Sequence, residues 1–149
     1  MSPLTLALAA ALALAVQPQA HAAPIHIRDA WSRPTATPLG VGYLTIVNRG
    51  HDPDRLVAVS SPEADSVTLH RSAVRNGIAS MQAVAGGLEI PAQGAVSLQP
   101  GGYHLMLSGL KHPLRAGERV PLVLDFRRSG RVRAELAVRT GPPARMHMR

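Results

Sequence analysis

Two histidine–methionine pairs are the residues of this sequence whose types and spacing could bind a metal. His104 and Met106 are separated by one residue in the run Tyr103-His104-Leu105-Met106-Leu107. If this run is a strand, alternate side chains share a face, so His104 and Met106 lie together. Tyr103, Leu105 and Leu107 then point into the core. Taken alone the pattern is weak, because a histidine near a methionine on a strand is usually an ordinary surface pair.

The second pair, His70 and Met81, flanks the dipeptide Asn76-Gly77, the strongest short signal for a β-hairpin. A two-residue type I′ turn at this dipeptide pairs Ser72 with Met81 and His70 with Ala83. Directly opposite residues share a face, so His70 and Met81 become diagonal neighbours with backbones roughly 7–8 Å apart. A three- or four-residue loop would change this pairing.

Convergence of the two pairs would create a site of two imidazoles and two thioethers. The methionine thioether is a soft, neutral ligand that suits Cu(I), whereas zinc prefers thiolate, imidazole or carboxylate ligands. None of the four ligands adds charge, so such a site keeps the single positive charge of Cu(I). From spacing alone, the alternative is four unconnected surface residues.

The absence of cysteine from the 149 residues removes several other classes of site. It excludes disulfides, cysteine-ligated zinc or iron–sulfur sites, thiol catalysis and a lipoprotein anchor. It also excludes a blue-copper electron-transfer site, which needs a thiolate ligand. The sequence shows no paired acid and base, no defensible Ser/His/Asp arrangement and no phosphate-binding glycine motif, so we predict that it is not an enzyme.

The charge balance is basic. Sixteen Lys and Arg against nine Asp and Glu give a formal net charge of +7. Such a balance can indicate a nucleic acid, an anionic membrane or an acidic protein as partner. The arginines are spread from Arg28 to Arg149 and aromatic residues make up only 3% of the chain, so nucleic-acid binding is not expected.

The first segment has the pattern of an export signal. Leu4–Val16 is an apolar run of thirteen residues, and Ala20-His21-Ala22 has the small-x-small pattern of a signal-peptidase site. The run is too short to span a bilayer comfortably as a stable helix, and an uncleaved anchor is the alternative. One departure is that no Lys or Arg precedes it. We predict a signal peptide over residues 1–22, cleaved after Ala22 or alternatively after Ala23, and a periplasmic protein.

The remainder is typical of an all-β fold, because its thirteen Gly and eleven of the thirteen Pro separate short β-rich runs. This spacing predicts a single antiparallel β-sandwich or barrel domain over residues 23–140. Residues 141–149 form a flexible tail. The predicted strands are Gly42–Asn48, Leu56–Ser60, Ser66–Ser72, Ile78–Val84, Ala95–Leu98, Tyr103–Leu107, Val120–Phe126 and Val132–Val138.

The spacing His70-x10-Met81-x22-His104-x-Met106 resembles the copper-binding motif of the periplasmic copper chaperone family PCuAC. The likeness extends along the chain from about Ile25 to Val138. Its other parts are Asp29-Ala30-Trp31-Ser32-Arg33-Pro34-Thr35, Gly42-Tyr43-Leu44-Thr45-Ile46-Val47-Asn48, Gly86-Gly87-Leu88-Glu89-Ile90-Pro91-Ala92 and Pro100-Gly101-Gly102 before the ligand strand.

The resemblance implies a cupredoxin-like β-sandwich that binds Cu(I) through His70, Met81, His104 and Met106. It also implies delivery of copper to the copper-site subunit of cytochrome c oxidase, at its dinuclear CuA centre, together with a Sco-type thioredoxin-like copper protein. A monomer is expected. Relatives often carry extra methionines before the Met81 position, and Arg71–Ser80 has none.

The C-terminal run Met146-His147-Met148 is similar to the His/Met tails of some family members, which assist Cu(II) binding. It could therefore hold a second copper, as Cu(II), or be an ordinary tail. The alternative for the whole chain is a metal-free β-sandwich that binds or scaffolds an envelope protein.

Overall fold

The computed structural model describes residues 24–144 as ten β-strands. Some of the strands show alternating burial; in β9, for example, Val120, Leu122, Leu124 and Phe126 are buried and the residues between them are more exposed. The strands are β1 (Ile25–Ser32), β2 (Leu39–Asn48), β3 (Asp54–Ser60), β4 (Ala64–Arg75), β5 (Ile78–Ala83), β6 (Leu88–Ile90), β7 (Gly94–Leu98), β8 (Tyr103–Leu110), β9 (Arg119–Phe126) and β10 (Gly130–Val138).

Seven of the strands form a closed barrel in the order β4-β8-β2-β1-β10-β9-β3. The pairing of Val59 with Val67 joins β3 to β4 and closes the ring. Strand β5 extends outward from β4 as a hairpin, β6 lies against β3, and β7 pairs with β2. The predicted all-β sandwich or barrel is confirmed.

The barrel interior is filled by branched aliphatic side chains from every part of the ring. Full burial of such a side chain contributes about 1.5–3 kcal/mol, so this cluster provides the main driving force for folding. Fully buried members include Leu44, Ile46, Leu105, Leu107, Leu124 and Leu136 from the ring, and Ile90 of β6 and Leu98 of β7 from the strands beside it.

The eight predicted strands are all present, and two further strands were not predicted. Strand β1 is interrupted by a register shift between Arg28 and Trp31, where Asp29 has a φ of 53°. This bulge breaks the alternation on which strand prediction depends. β1 also pairs in parallel with β10, through Trp31 and Ala137, whereas the other pairings described are antiparallel. Strand β6 has three residues, too few to show a period.

The predicted signal peptide over residues 1–22 lies outside the described residues, and so does most of the predicted tail, residues 145–149. The strands span Ile25 to Val138, within the domain predicted for residues 23–140. Within residues 24–144, no helix has the length and apolar character needed to cross a bilayer.

The buried carboxylate of Asp54 fixes the start of β3 to the β9–β10 turn. One oxygen accepts hydrogen bonds from the backbone N–H groups of Arg55 and Arg128, at 2.7 and 2.9 Å. The other accepts from the N–H and the hydroxyl of Ser129, at 3.0 and 2.6 Å. Burial alone would raise the pKa of Asp54, but these hydrogen bonds outweigh it and hold the pKa below its usual value.

Substitution Asp54→Ala should lower the free energy of unfolding by about 1–3 kcal/mol at pH 7, because buried donors lose their acceptor. A lowered folded pKa means that this contribution is complete above the unfolded pKa of about 3.9. It is lost as pH falls through the folded value, so the difference between wild type and variant should narrow between about pH 5 and pH 2. Urea unfolding of wild type and Asp54→Ala at several pH values measures this difference in the free energy of unfolding.

Asp52→Ala is the matched control. Asp52 forms an ion pair with Arg128 at 3.1 Å, and both side chains are exposed. Loss of this pair should lower the free energy of unfolding by only about 0–1 kcal/mol. Equal losses of stability in the two variants would contradict the role given to Asp54.

Candidate metal centre

The β4–β5 hairpin has the two-residue turn that the sequence predicts. Asn76 and Gly77 have positive φ values, 51° and 75°, as a type I′ turn requires. The predicted register is therefore confirmed. It pairs Arg75 with Ile78, Val74 with Ala79, Ala73 with Ser80, Ser72 with Met81, and His70 with Ala83.

Strand β8 lies along the other side of β4, and this contact brings the two histidine–methionine pairs together. His70 pairs with His104, and Thr68 pairs with Met106. Opposite residues share a face, so both histidines and Met106 lie on one face of β4 and β8. Met81 continues that face onto β5. The four residues singled out in the sequence thus occupy one face of three adjacent strands.

The two faces of β8 differ as predicted. Leu105 and Leu107 are fully buried in the barrel, and Tyr103 packs against the same core. His104, on the opposite face, is only 3% exposed and is not the surface residue that a strand considered alone would suggest. Its ring is stacked against the ring of His70, its cross-strand partner on β4, with the two centroids 5.9 Å apart.

The buried nitrogens of these histidines have lone pairs available to a metal ion. Within residues 24–144, three buried side-chain polar atoms lack a hydrogen-bond partner: His70 Nδ1, His104 Nε2 and the indole nitrogen of Trp31. Buried polar atoms are normally paired. The two imidazole centroids are 5.9 Å apart. The rings are stacked with their planes at 22° to each other, so the two histidines are direct neighbours across the β4–β8 pair.

The remaining ring nitrogens are held by hydrogen bonds. His104 Nδ1 lies 3.2 Å from the carbonyl oxygen of Gly102, which can only accept, so Nδ1 carries the proton and Nε2 keeps its lone pair. His70 Nε2 lies 2.9 Å from the hydroxyl of Thr68, which can donate or accept. When His70 binds an ion through Nδ1, Nε2 donates to Thr68. Such partners fix the orientation of metal-binding imidazoles.

The arrangement fits a soft cation. Within the described part of the chain, no group of three or more His, Cys, Asp or Glu side chains could hold a metal ion. Hard ions such as Ca²⁺ and Mg²⁺ need oxygen ligands and therefore do not fit. Met81 is 59% exposed and Met106 is partly buried. Two imidazoles with two thioethers match the preference of Cu(I).

Two contributors to the site were not identified from the sequence. Thr68 and the carbonyl of Gly102 each precede a candidate histidine by two residues, so the same-face rule could have suggested them. The predicted auxiliary ligands Met146, His147 and Met148 lie outside the described residues, and the structure does not place them.

The model of the family described as "Putative lipoprotein LpqE-like" matches residues 25–138. A relative named "Putative lipoprotein Lxx21020", from Leifsonia xyli subsp. xyli (strain CTCB07), is 33% identical over 114 residues, which cover 76% of this chain and 69% of the relative. The word lipoprotein in both names is not matched by a cysteine in this chain, which has none.

Solved copper-domain structures share the fold. The copper-bound PCuAC domain from PmoF2 is 25% identical with a TM-score of 0.65, covering 79% of this chain and 94% of that domain. The solution structure of Cu(I)-bound DR1885 from Deinococcus radiodurans is 32% identical with a TM-score of 0.58, and the match covers 75% of this chain and 77% of DR1885. The solution structure of apo-DR1885 is 29% identical with a TM-score of 0.61, and the match covers 95% of this chain and 96% of DR1885. The resemblance to PCuAC domains is confirmed.

The hydrogen bond to Gly102 predicts the tautomer of His104. In the metal-free protein, neutral His104 should carry its proton on Nδ1, because a carbonyl cannot donate. Long-range ¹H–¹⁵N correlation NMR distinguishes the two tautomers by their nitrogen shifts. A proton on Nε2 of His104 would contradict the arrangement, since that nitrogen would then have no lone pair for an ion.

Proposed function

The chain belongs to the LpqE-like family, and on that premise we propose that it is a copper chaperone of the periplasm. It binds one Cu(I) through His70, Met81, His104 and Met106 and releases it to an acceptor protein. The observation that carries this proposal is the pair of buried, unpartnered imidazole nitrogens on the face that also carries both methionines. The copper bound by the PmoF2 domain and the Cu(I) bound by DR1885 support the choice of metal.

The ligands suit a carrier because they bind Cu(I) without adding charge. Thiolates are stronger ligands for this soft ion than thioethers, so an acceptor with cysteines can take the copper by ligand exchange. His104 is held in the barrel wall, whereas Met81 is on the outermost strand. The site is thus fixed at one end and approachable at the other.

The proposed destination is the CuA centre in the copper-site subunit of cytochrome c oxidase, with a Sco-type thioredoxin-like copper protein as a partner. A signal peptide over residues 1–22 would place the mature chain in the periplasm. Support for these steps comes from the motif resemblance and, for export, from the word lipoprotein in the family description.

The first test is an anaerobic titration of Cu(I) into the protein against a coloured Cu(I) chelator. Wild type should retain one equivalent. The double variant His104→Ala/Met106→Ala should lose at least about 100-fold in affinity, because loss of an outer-shell partner alone costs about 10–100-fold. His112→Ala removes an exposed imidazole outside the site and should bind like wild type. Equal binding by wild type and the double variant would refute the four-ligand site and favour a metal-free binding module.

The tail Met146-His147-Met148 is proposed as a separate Cu(II) site. Deletion of residues 141–149 should weaken Cu(II) binding and leave the Cu(I) affinity unchanged, because the four Cu(I) ligands lie on β4, β5 and β8. Parallel titrations with the two ions measure this. Equal loss of both ions would reject an independent tail site.

A further inference from the structure

The face that carries the four proposed ligands has no charged side chain on its strands. Its members follow from the register, in which opposite residues and alternate residues share a face. We call this surface the ligand face. It comprises Leu39 and Val41 of β2, Ser66, Thr68, His70, Ser72 and Val74 of β4, Ala79, Met81 and Ala83 of β5, and His104, Met106 and Ser108 of β8.

This absence of charge contrasts with the rest of the chain, which has sixteen basic and nine acidic residues. The opposite face of the same hairpin carries Arg71 and Arg75, which pair with Gln82 and Ile78. Arg33 lies 5.7 Å from the ring of Trp31, which is not a member of the ligand face. These three arginines therefore lie off the ligand face.

The ligand face is also open and apolar. Among the described residues, five large hydrophobic side chains are exposed, and three of them lie on this face: Leu39 at 49%, Val74 at 72% and Met81 at 59%. Most of the other members are Ser, Thr or Ala, so little projects between these three. Apolar surface of this kind on a soluble domain typically marks an interaction site.

Strand β5, which carries Met81, is an open edge of the sheet. It pairs with β4 alone among the described strands, and its six residues are exposed. Its sequence, Ile-Ala-Ser-Met-Gln-Ala, contains none of the charged residues or prolines that usually protect an edge from other chains. A partner can therefore approach Met81 from the face and from the edge.

We propose that the ligand face is the docking surface for the acceptor of the copper, a protein whose own site is a pair of thiolates set among uncharged residues. This inference rests on the proposed function. A partner with fixed charges opposite this face would have to bury them without compensation, which is costly. Loaded Cu(I) is the one charge on the face, and two anionic thiolates of the acceptor replace its neutral ligands, so that the copper–dithiolate site of the acceptor has a net charge of −1.

The transfer step conserves the oxidation state of the copper. Bonds from Cu(I) to the imidazoles and thioethers break, two Cu–S bonds to the acceptor form, and the two thiol protons go to solvent. The emptied ligand face is then neutral, so the electrostatic attraction ends with the transfer. A second copy of this chain fits less well, because two loaded faces would both be positive.

Val74 and Ile78 provide a matched pair for the test. They lie on one hairpin, are 72% and 70% exposed, and point to opposite faces. Wild type, Val74→Glu, Leu39→Glu and Ile78→Glu are each loaded with one Cu(I). Each is then mixed anaerobically with the soluble domain of a Sco-type protein or with dithiothreitol, and the rate of copper transfer is followed by stopped flow.

The glutamate introduced in Val74→Glu and Leu39→Glu should slow copper transfer to the protein acceptor by at least about tenfold. In the same two variants, the rate of copper transfer to dithiothreitol should stay within about twofold of the wild-type rate. In Ile78→Glu, the transfer rates to the protein acceptor and to dithiothreitol should both stay within about twofold of wild type. Circular dichroism establishes that the variants are folded.

Equal rates in Val74→Glu and Ile78→Glu with the protein acceptor would overturn the docking surface. So would a wild-type dimer, seen by sedimentation, that Val74→Glu abolishes, since the face would then bind a second copy. A wild type that retains no Cu(I) in the chelator titration would instead refute the proposed function. The two failures are therefore distinguishable.

Discussion

The double pairing of β4 is the constraint on which the candidate site depends. β4 pairs with β8 through His70 and His104, and with β5 through Ser72 and Met81. A slip of one residue in either pairing would move one partner strand's ligands to the other face. The Asn76-Gly77 turn fixes one register, and the buried leucines of β8 fix the other, because a slip would expose them. Ligand geometry is thus a consequence of hairpin chemistry and core packing.

The same pairing gives the candidate site a buried, rigid end and an exposed, accessible end. His104 belongs to the barrel wall, and its ring is oriented by the carbonyl of Gly102. His70 is oriented by Thr68 at the boundary between barrel and hairpin. Met81 stands on a strand whose residues are all exposed. An ion bound by the proposed ligands would have preorganised nitrogen ligands on one side and a replaceable thioether on the other, as transfer by ligand exchange requires.

The features that the sequence predicts depend on neighbouring residues, whereas those that it does not predict depend on residues far apart in the chain. The hairpin register depends on two adjacent residues, so it could be predicted, and alternation correctly separates Leu105 and Leu107 from His104 and Met106. The pairing of β4 with β8 joins residues 34 positions apart, His70 and His104, and no local rule specifies it. That the two pairs belong to one site was suggested by the resemblance to PCuAC, not by spacing.

The hydrogen bonds of Asp54 were not predicted for the same reason, since they connect β3 to a turn more than seventy residues later. β1 was not predicted because its bulge at Asp29 hides the period. Asp54 fixes the barrel at a place away from the four ligands, so a carboxylate contributes to the fold without adding negative charge to the ligand face.

The positive charge of the chain and the neutrality of the ligand face serve different steps. Electrostatic attraction between exposed charges extends about 8–10 Å at physiological salt, so the net positive charge of the chain would act on an acidic partner before contact. Within the contact, an arginine beside the copper would repel the ion and would have to be desolvated when the partner binds. A basic chain with no charged side chain on the ligand face would therefore attract a partner during the approach without weakening a bound ion.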